Sequence, residues 1–92
     1  MNEVFESVWD AIEDSPAEAQ KLKIRSAMMT ALCDYIKSGG LTQKKAAKQL
    51  GVTQPRISDL MRGRIDLFAI ESLVDMVVRA GLRIEMHVGK AA

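Results

Sequence analysis

Residues 41–63 read Leu-Thr-Gln-Lys-Lys-Ala-Ala-Lys-Gln-Leu-Gly-Val-Thr-Gln-Pro-Arg-Ile-Ser-Asp-Leu-Met-Arg-Gly. Two short apolar patterns flank Gly51: Leu41, Ala46, Ala47 and Leu50 before it, Ile57, Leu60 and Met61 after it. The remaining positions are polar or basic apart from Val52, which turns inward, and the Pro55 of the second pattern. This spacing predicts two amphipathic helices sharing one core. The junctions agree with it. The Thr42 side chain is placed to accept a hydrogen bond from an unpaired N–H of the first helix. Ala46 and Ala47 are small where two helices must approach closely. Gly51 stands where a left-handed backbone is commonly needed, which glycine adopts at little cost. Thr53 offers a second cap, and Pro55 falls in the first turn, where a missing N–H matters least. Gly63 then ends a short rod. The pattern is that of a helix-turn-helix.

The outer face of the second helix carries Gln54, Arg56, Ser58, Asp59 and Arg62. Glutamine can pair with adenine and arginine with guanine through two hydrogen bonds, each pair contributing roughly 1–3 kcal/mol of discrimination in a major groove. Gln54, Arg56, Ser58 and Asp59 are therefore the expected base readers. Asp59 is ambiguous: it could accept from a cytosine amino group, orient Arg56 or Arg62, or repel phosphate. Thr42, Gln43 and Lys44 at one helix start, Thr53 at the other, and Arg62 and Arg64 around Gly63 are the expected phosphate contacts. Such contacts set register and salt-dependent affinity without reading sequence.

From about Arg25 to Gly81 the chain resembles the family of lambdoid phage repressors and Cro proteins, the XRE family. Gln43 and Gln54 fall where that family often carries a glutamine pair, the first bracing the second. The likeness implies a five-helix, lambda-repressor-like domain. The flanks carry a closer resemblance: Val-Phe-Glu-Ser-Val-Trp-Asp-Ala-Ile at 4–12, Gly-Val-Thr-Gln-Pro-Arg-Ile-Ser-Asp-Leu at 51–60 and Gly-Arg-Ile-Asp-Leu-Phe at 63–68. With these the chain looks like the HigA-type antitoxins of bacterial toxin–antitoxin pairs. That implies a dimer that represses its own operon and neutralises a RelE-like ribonuclease toxin. Ala69 departs from the pattern, since relatives usually place a helix-capping serine there; Asp66 is the candidate replacement.

Ninety-two residues suffice for one domain. A hydrophobic content of 48% with only 4% aromatic residues implies an aliphatic, Met-rich core. No apolar run approaches the ~20 residues needed to span a bilayer. Residues 1–20 hold six acidic side chains and no basic one, unlike a signal peptide, so a cytoplasmic protein with no membrane association is expected. Cys33 is the single cysteine, expected in the core, and His87 the single histidine. A metal set cannot be assembled from them, and no cofactor is expected. No nucleophile–base constellation or phosphate-cradling glycine loop is present either, so the chain does not read as an enzyme.

The net charge of +1 conceals a strong polarity. Residues 37–64 hold seven basic side chains against Asp59 alone, and this block coincides with the helix-turn-helix. The acidic block is the N-terminal segment, 1–15, in which Val4, Phe5, Val8, Trp9 and Ile12 share one helical face. Phe5, Val8 and Trp9 either staple this segment onto the next helix or dock it on a basic toxin surface; the two roles are compatible.

Ser15-Pro16-Ala17-Glu18 reads as a capping box opening a helix to Ser38, apolar at Leu22, Met29, Leu32, Cys33 and Ile36. Gly39-Gly40 stops it. Beyond the helix-turn-helix (42–62), a last helix is expected from about Phe68 to Ala80, with Ile70, Leu73, Val74 and Val77 inward, closing a helical core at 16–81. The tail then changes period: Leu82, Ile84, Met86 and Val88 alternate with Arg83, Glu85 and His87, which is strand spacing. A lone strand leaves its backbone groups unpaired, so residues 82–88 are expected to pair with a second copy in a two-fold dimer. Such a dimer would set two recognition helices over a palindromic operator in double-stranded DNA. A free-standing phage-type repressor and a protein-interaction module without DNA binding are the competing functions.

Overall fold

The computed structural model describes residues 15–91. Four α-helices follow one another: α1 (Pro16–Ser38), α2 (Gln43–Leu50), α3 (Gln54–Met61) and α4 (Ile70–Arg79), with a 3-10 turn at Ile65–Leu67 between the last two. No strand occurs among the described residues. Four of the five expected helices are present; the fifth, expected over 4–12, lies outside the described residues. One expectation is corrected here. The strand expected over 82–88 is not formed: these residues carry no regular secondary structure, since no second extended segment lies alongside them to complete a ladder.

Helix α1 begins where the sequence places it. Ser15 Oγ accepts from the Glu18 N–H at 3.2 Å, and Pro16 occupies the first helical position. The capping box is only half made, because the Glu18 carboxylate turns outward to Lys21 Nζ at 3.3 Å. All four helices end alike. A glycine with positive φ (Gly40, Gly51, Gly63, Gly81) is followed by a residue whose N–H reaches back five positions: Leu41 to Ile36, Val52 to Ala47, Arg64 to Asp59 and Leu82 to Val77. This closure satisfies carbonyls that a helix end otherwise leaves unpaired.

The buried apolar core draws on every helix. Leu32 from α1, Ala46 from α2, Ile57 and Leu60 from α3 and Leu73 from α4 have no exposed surface. Met28, Met29, Ile36, Ala47, Leu50, Met76 and Val77 complete it with Phe68. Helix α1 packs chiefly on α4, and α2 on α3. Buried Ala46 and Ala47 let α2 approach its neighbours closely, as their size implies. Burying one leucine or isoleucine side chain stabilises by roughly 1.5–3 kcal/mol, so the inner faces of α2 and α3 hold them on α1 and α4.

The last helix starts later than the sequence suggests. Phe68 is not its first residue but an extended anchor (φ −124, ψ 122), 2% exposed, reached through the 3-10 turn. Ala69 occupies the cap position without a side-chain bond, and the Asp66 carboxylate points to Arg64 Nε at 3.9 Å instead. Asp66 therefore does not replace the missing serine. Among the described residues no helix is long and apolar enough to cross a membrane.

Candidate nucleic-acid interface

Helices α2 and α3 carry the expected contact residues, and their local chemistry fixes where each one sits. Thr42 Oγ1 accepts from the Lys45 N–H at 3.1 Å, capping α2. Gln43, Lys44, Lys45 and Lys48 stand exposed along that helix, with no acidic residue in its first turn. The turn to α3 is made by Gly51 (φ 69, ψ 32) and half-buried Val52. A side chain on Gly51 would be strained and would also meet the Arg79 guanidinium at 2.9 Å. Thr53 takes the extended cap conformation, but its hydroxyl makes no capping bond, contrary to expectation. Pro55 removes one of the N–H groups such a cap would serve, so the hydroxyl is left exposed.

On α3, Ile57 and Leu60 face the core, which turns Gln54 outward into solvent. No hydrogen bond joins Gln43 to Gln54 among the described residues. Ser58 and Asp59 are half-buried. Asp59 Oδ1 accepts from Arg62 Nη2 at 3.1 Å, the contact that orienting Arg62 requires. An exposed pair of this kind contributes at most about 1 kcal/mol to stability. Its effect is on geometry.

Arg56 behaves differently from its neighbours. Its Nη1 donates to the Leu67 carbonyl at 2.8 Å, and its guanidinium lies 4.0 Å from the centroid of the Phe68 ring. This contact spans eleven residues and ties α3 to the far end of the 3-10 turn. Local periodicity could not reveal it, because it depends on how the 62–67 segment folds back.

Two further contacts brace the scaffold. Tyr35 Oη donates to Gln49 Oε1 at 2.6 Å, joining α1 to α2. Cys33 Sγ donates to the Leu60 carbonyl at 3.5 Å, joining α1 to α3. Burial pushes the Cys33 thiol up from its usual range, against a smaller lowering by Lys37 and beside a smaller raising by Asp34. It is held as the neutral thiol, the form that donates to a carbonyl and reacts slowly.

The arrangement is thus a rigid pair of short helices with a basic outer surface. Helix α3 has eight residues. At 1.5 Å per residue it is about 12 Å long, close to the width of the major groove. A family of helix-turn-helix domains matches residues 11–89. The chain belongs to that family. A solved structure assigned to the XRE family of transcriptional regulators superimposes with a TM-score of 0.72 at 26% identity, covering 80% of this chain and 83% of that one. No curated protein sequence matches. Family and fold together make this a helix-turn-helix protein of the DNA-binding regulator class, which is not enzymatic, with a fold like that of an XRE-family regulator.

Proposed function

We propose that this regulator is a repressor that binds a palindromic operator as a two-fold dimer, silences its own operon and acts as an antitoxin against a RelE-like toxin. The observation that carries the operator reading is the orientation of α3. Ile57 and Leu60 are buried in the core, and exposed Gln54 leads a face that continues through Ser58 and Asp59. Gln54 reads a base; Ser58 and Asp59 lie further along the groove. Thr42, Gln43, Lys44 and Thr53 approach one phosphate run from the helix starts, and Arg62 and Arg64 approach another from beyond α3.

The dimer reading rests on the C-terminal segment. Leu82 and Ile84 lie beside Ala27, Met28, Ala31 and Val77 around a groove of about 280 Å³, whereas Met86 and Val88 are 80% and 85% exposed. Four alternating apolar residues ending in bare side chains are the kind of edge that a second copy covers by adding a strand. Two copies so joined carry two recognition helices, for half-sites about 34–36 Å apart.

The antitoxin reading rests on charge and on the flanking sequence. Phe5, Val8 and Trp9 lie outside the described residues, within a stretch whose charges are all negative. A toxin that handles RNA is basic, so an acidic, Trp-bearing segment suits its surface. The test is genetic and physical at once. The reading frame adjoining the gene, expected on this reading to encode a small basic protein, is expressed alone and with this protein. Growth arrest relieved by co-expression, with a co-purifying complex that Trp9→Ala weakens, is expected. Arrest that this protein does not relieve would refute the antitoxin role and leave a free-standing repressor.

A further inference from the structure

We infer that Arg56 is a positioning residue: it locks the basic segment 62–67 against the reading helix, so that Arg62 and Arg64 meet the backbone in register with Gln54. The inference rests on the phosphate role given to those two arginines above. Three observations carry it. First, the Arg56 guanidinium is already committed, through Nη1 to the Leu67 carbonyl at 2.8 Å and over the Phe68 ring at 4.0 Å. Second, Phe68 is nearly fully buried, so the surface on which Arg56 stacks is itself fixed. Third, the segment packs on α1 and ends in buried Phe68, but it has few other ties to α3. Its N-terminal end is set by the Arg64 N–H to Asp59 carbonyl bond, and half-buried Ile65 touches the core. Leu67 is 40% exposed, and Arg62, Arg64 and Asp66 are exposed.

The consequence follows from geometry. Arg62 is already aimed by Asp59, on α3 itself, whereas Arg64 stands on the far side of Gly63, whose positive φ turns the chain away. Without Arg56, the 3-10 turn keeps its buried anchor at Phe68 but is tied to α3 only at its start. The stacked, hydrogen-bonded guanidinium adds a second tie to α3 at the far end. An ammonium group on a flexible stem lacks the planar fork that makes both contacts together. Base reading then falls to Gln54 and its neighbours, while Arg56 sets the spacing between base and phosphate contacts.

Salt dependence separates this role from direct contact, because each phosphate neutralised contributes about 0.9 to the slope of log affinity against log salt. Operator binding is measured for the full-length protein and for Arg56→Met, for the loop variant Arg62→Gln/Arg64→Gln, and for the three changes combined, each confirmed folded by circular dichroism. We expect Arg56→Met to lower the slope by about one phosphate's worth, the share of Arg64, and to add nothing to the loop variant, in which that contact is already gone. A fall of about one that adds fully to the loop variant would make Arg56 a phosphate contact and overturn the inference. An unchanged slope with relaxed preference at a single base pair would make it a base reader and overturn it equally. An unchanged slope in the loop variant itself would remove the phosphate assignment, and the inference with it. Should Arg56→Met not fold, Arg56→Lys keeps the charge but not the fork. A reduced slope there supports the clamp, and an unaltered slope refutes it.

Discussion

Single side chains divide the labour on α3. Gln54 is exposed and makes no contact that holds the fold, so Gln54→Ala is expected to leave thermal stability unchanged while lowering the preference for operator over random DNA. Equal loss on both DNAs would remove it from base reading. Lys44, exposed in the first turn of α2, is expected to act through phosphate alone. Lys44→Ala weakens operator and random DNA alike and lowers the salt slope by about one. Arg56 differs from both because its guanidinium donates to the Leu67 carbonyl and stacks on Phe68. A hydrogen bond from a charged donor contributes about 1.5–3 kcal/mol and an exposed cation–π contact about 0.5–1 kcal/mol. Half-burial reduces their sum, and Arg56→Ala is expected to cost about 2 kcal/mol in urea unfolding. A cost near zero would show that the clamp does not hold in solution.

At the scale of elements, much of the helix-turn-helix could be read from sequence because its determinants are local. Thr42 caps α2, Gly51 takes a left-handed conformation, Pro55 opens α3, and Ile57 and Leu60 point inward, all within the window that periodicity samples. The start of α4 could not be read this way. Phe68 looks like the first residue of a helical stripe, and only the 3-10 turn, whose shape depends on Arg56 and on the core beneath, makes it an extended anchor. Met76 was missed for a similar reason: it is buried beside Leu73 and Val77, but which flank of α4 the core reaches depends on how α1 packs against it. Two substitutions test this level. Leu60→Ala removes a fully buried side chain of α3 and is expected to cost about 2–5 kcal/mol. Gly51→Ala forces a side chain into a left-handed position, at roughly 1–2 kcal/mol, measured by thermal unfolding. Near-neutral results for both would mean that the two helices are held by something other than this core and turn.

The whole molecule joins a rigid helical body to an apolar tail and an acidic head. The tail's alternation is plain in the sequence, yet a strand exists only with a neighbour, and the described residues hold no second extended segment to pair with it. If pairing of Leu82, Ile84, Met86 and Val88 makes the dimer, deleting residues 82–92 is expected to give folded monomers in sedimentation and weaker operator binding. Dimers that survive the deletion would place the two-fold interface elsewhere. The charge polarity of the chain belongs to this scale as well: the basic block lies on the helix-turn-helix, and the acidic block is assigned by the proposal to a basic protein partner.

On the proposed function, the exposed face of α2 and α3 recognises a particular DNA sequence. Fluorescence anisotropy of the purified protein on its own promoter, against a scrambled duplex and across a series of salt concentrations, tests it most directly. Tight binding to the promoter, far weaker binding to the scramble, and affinity that falls steeply with salt is the predicted result. Equal binding to both duplexes, or none to either at low salt, would contradict it.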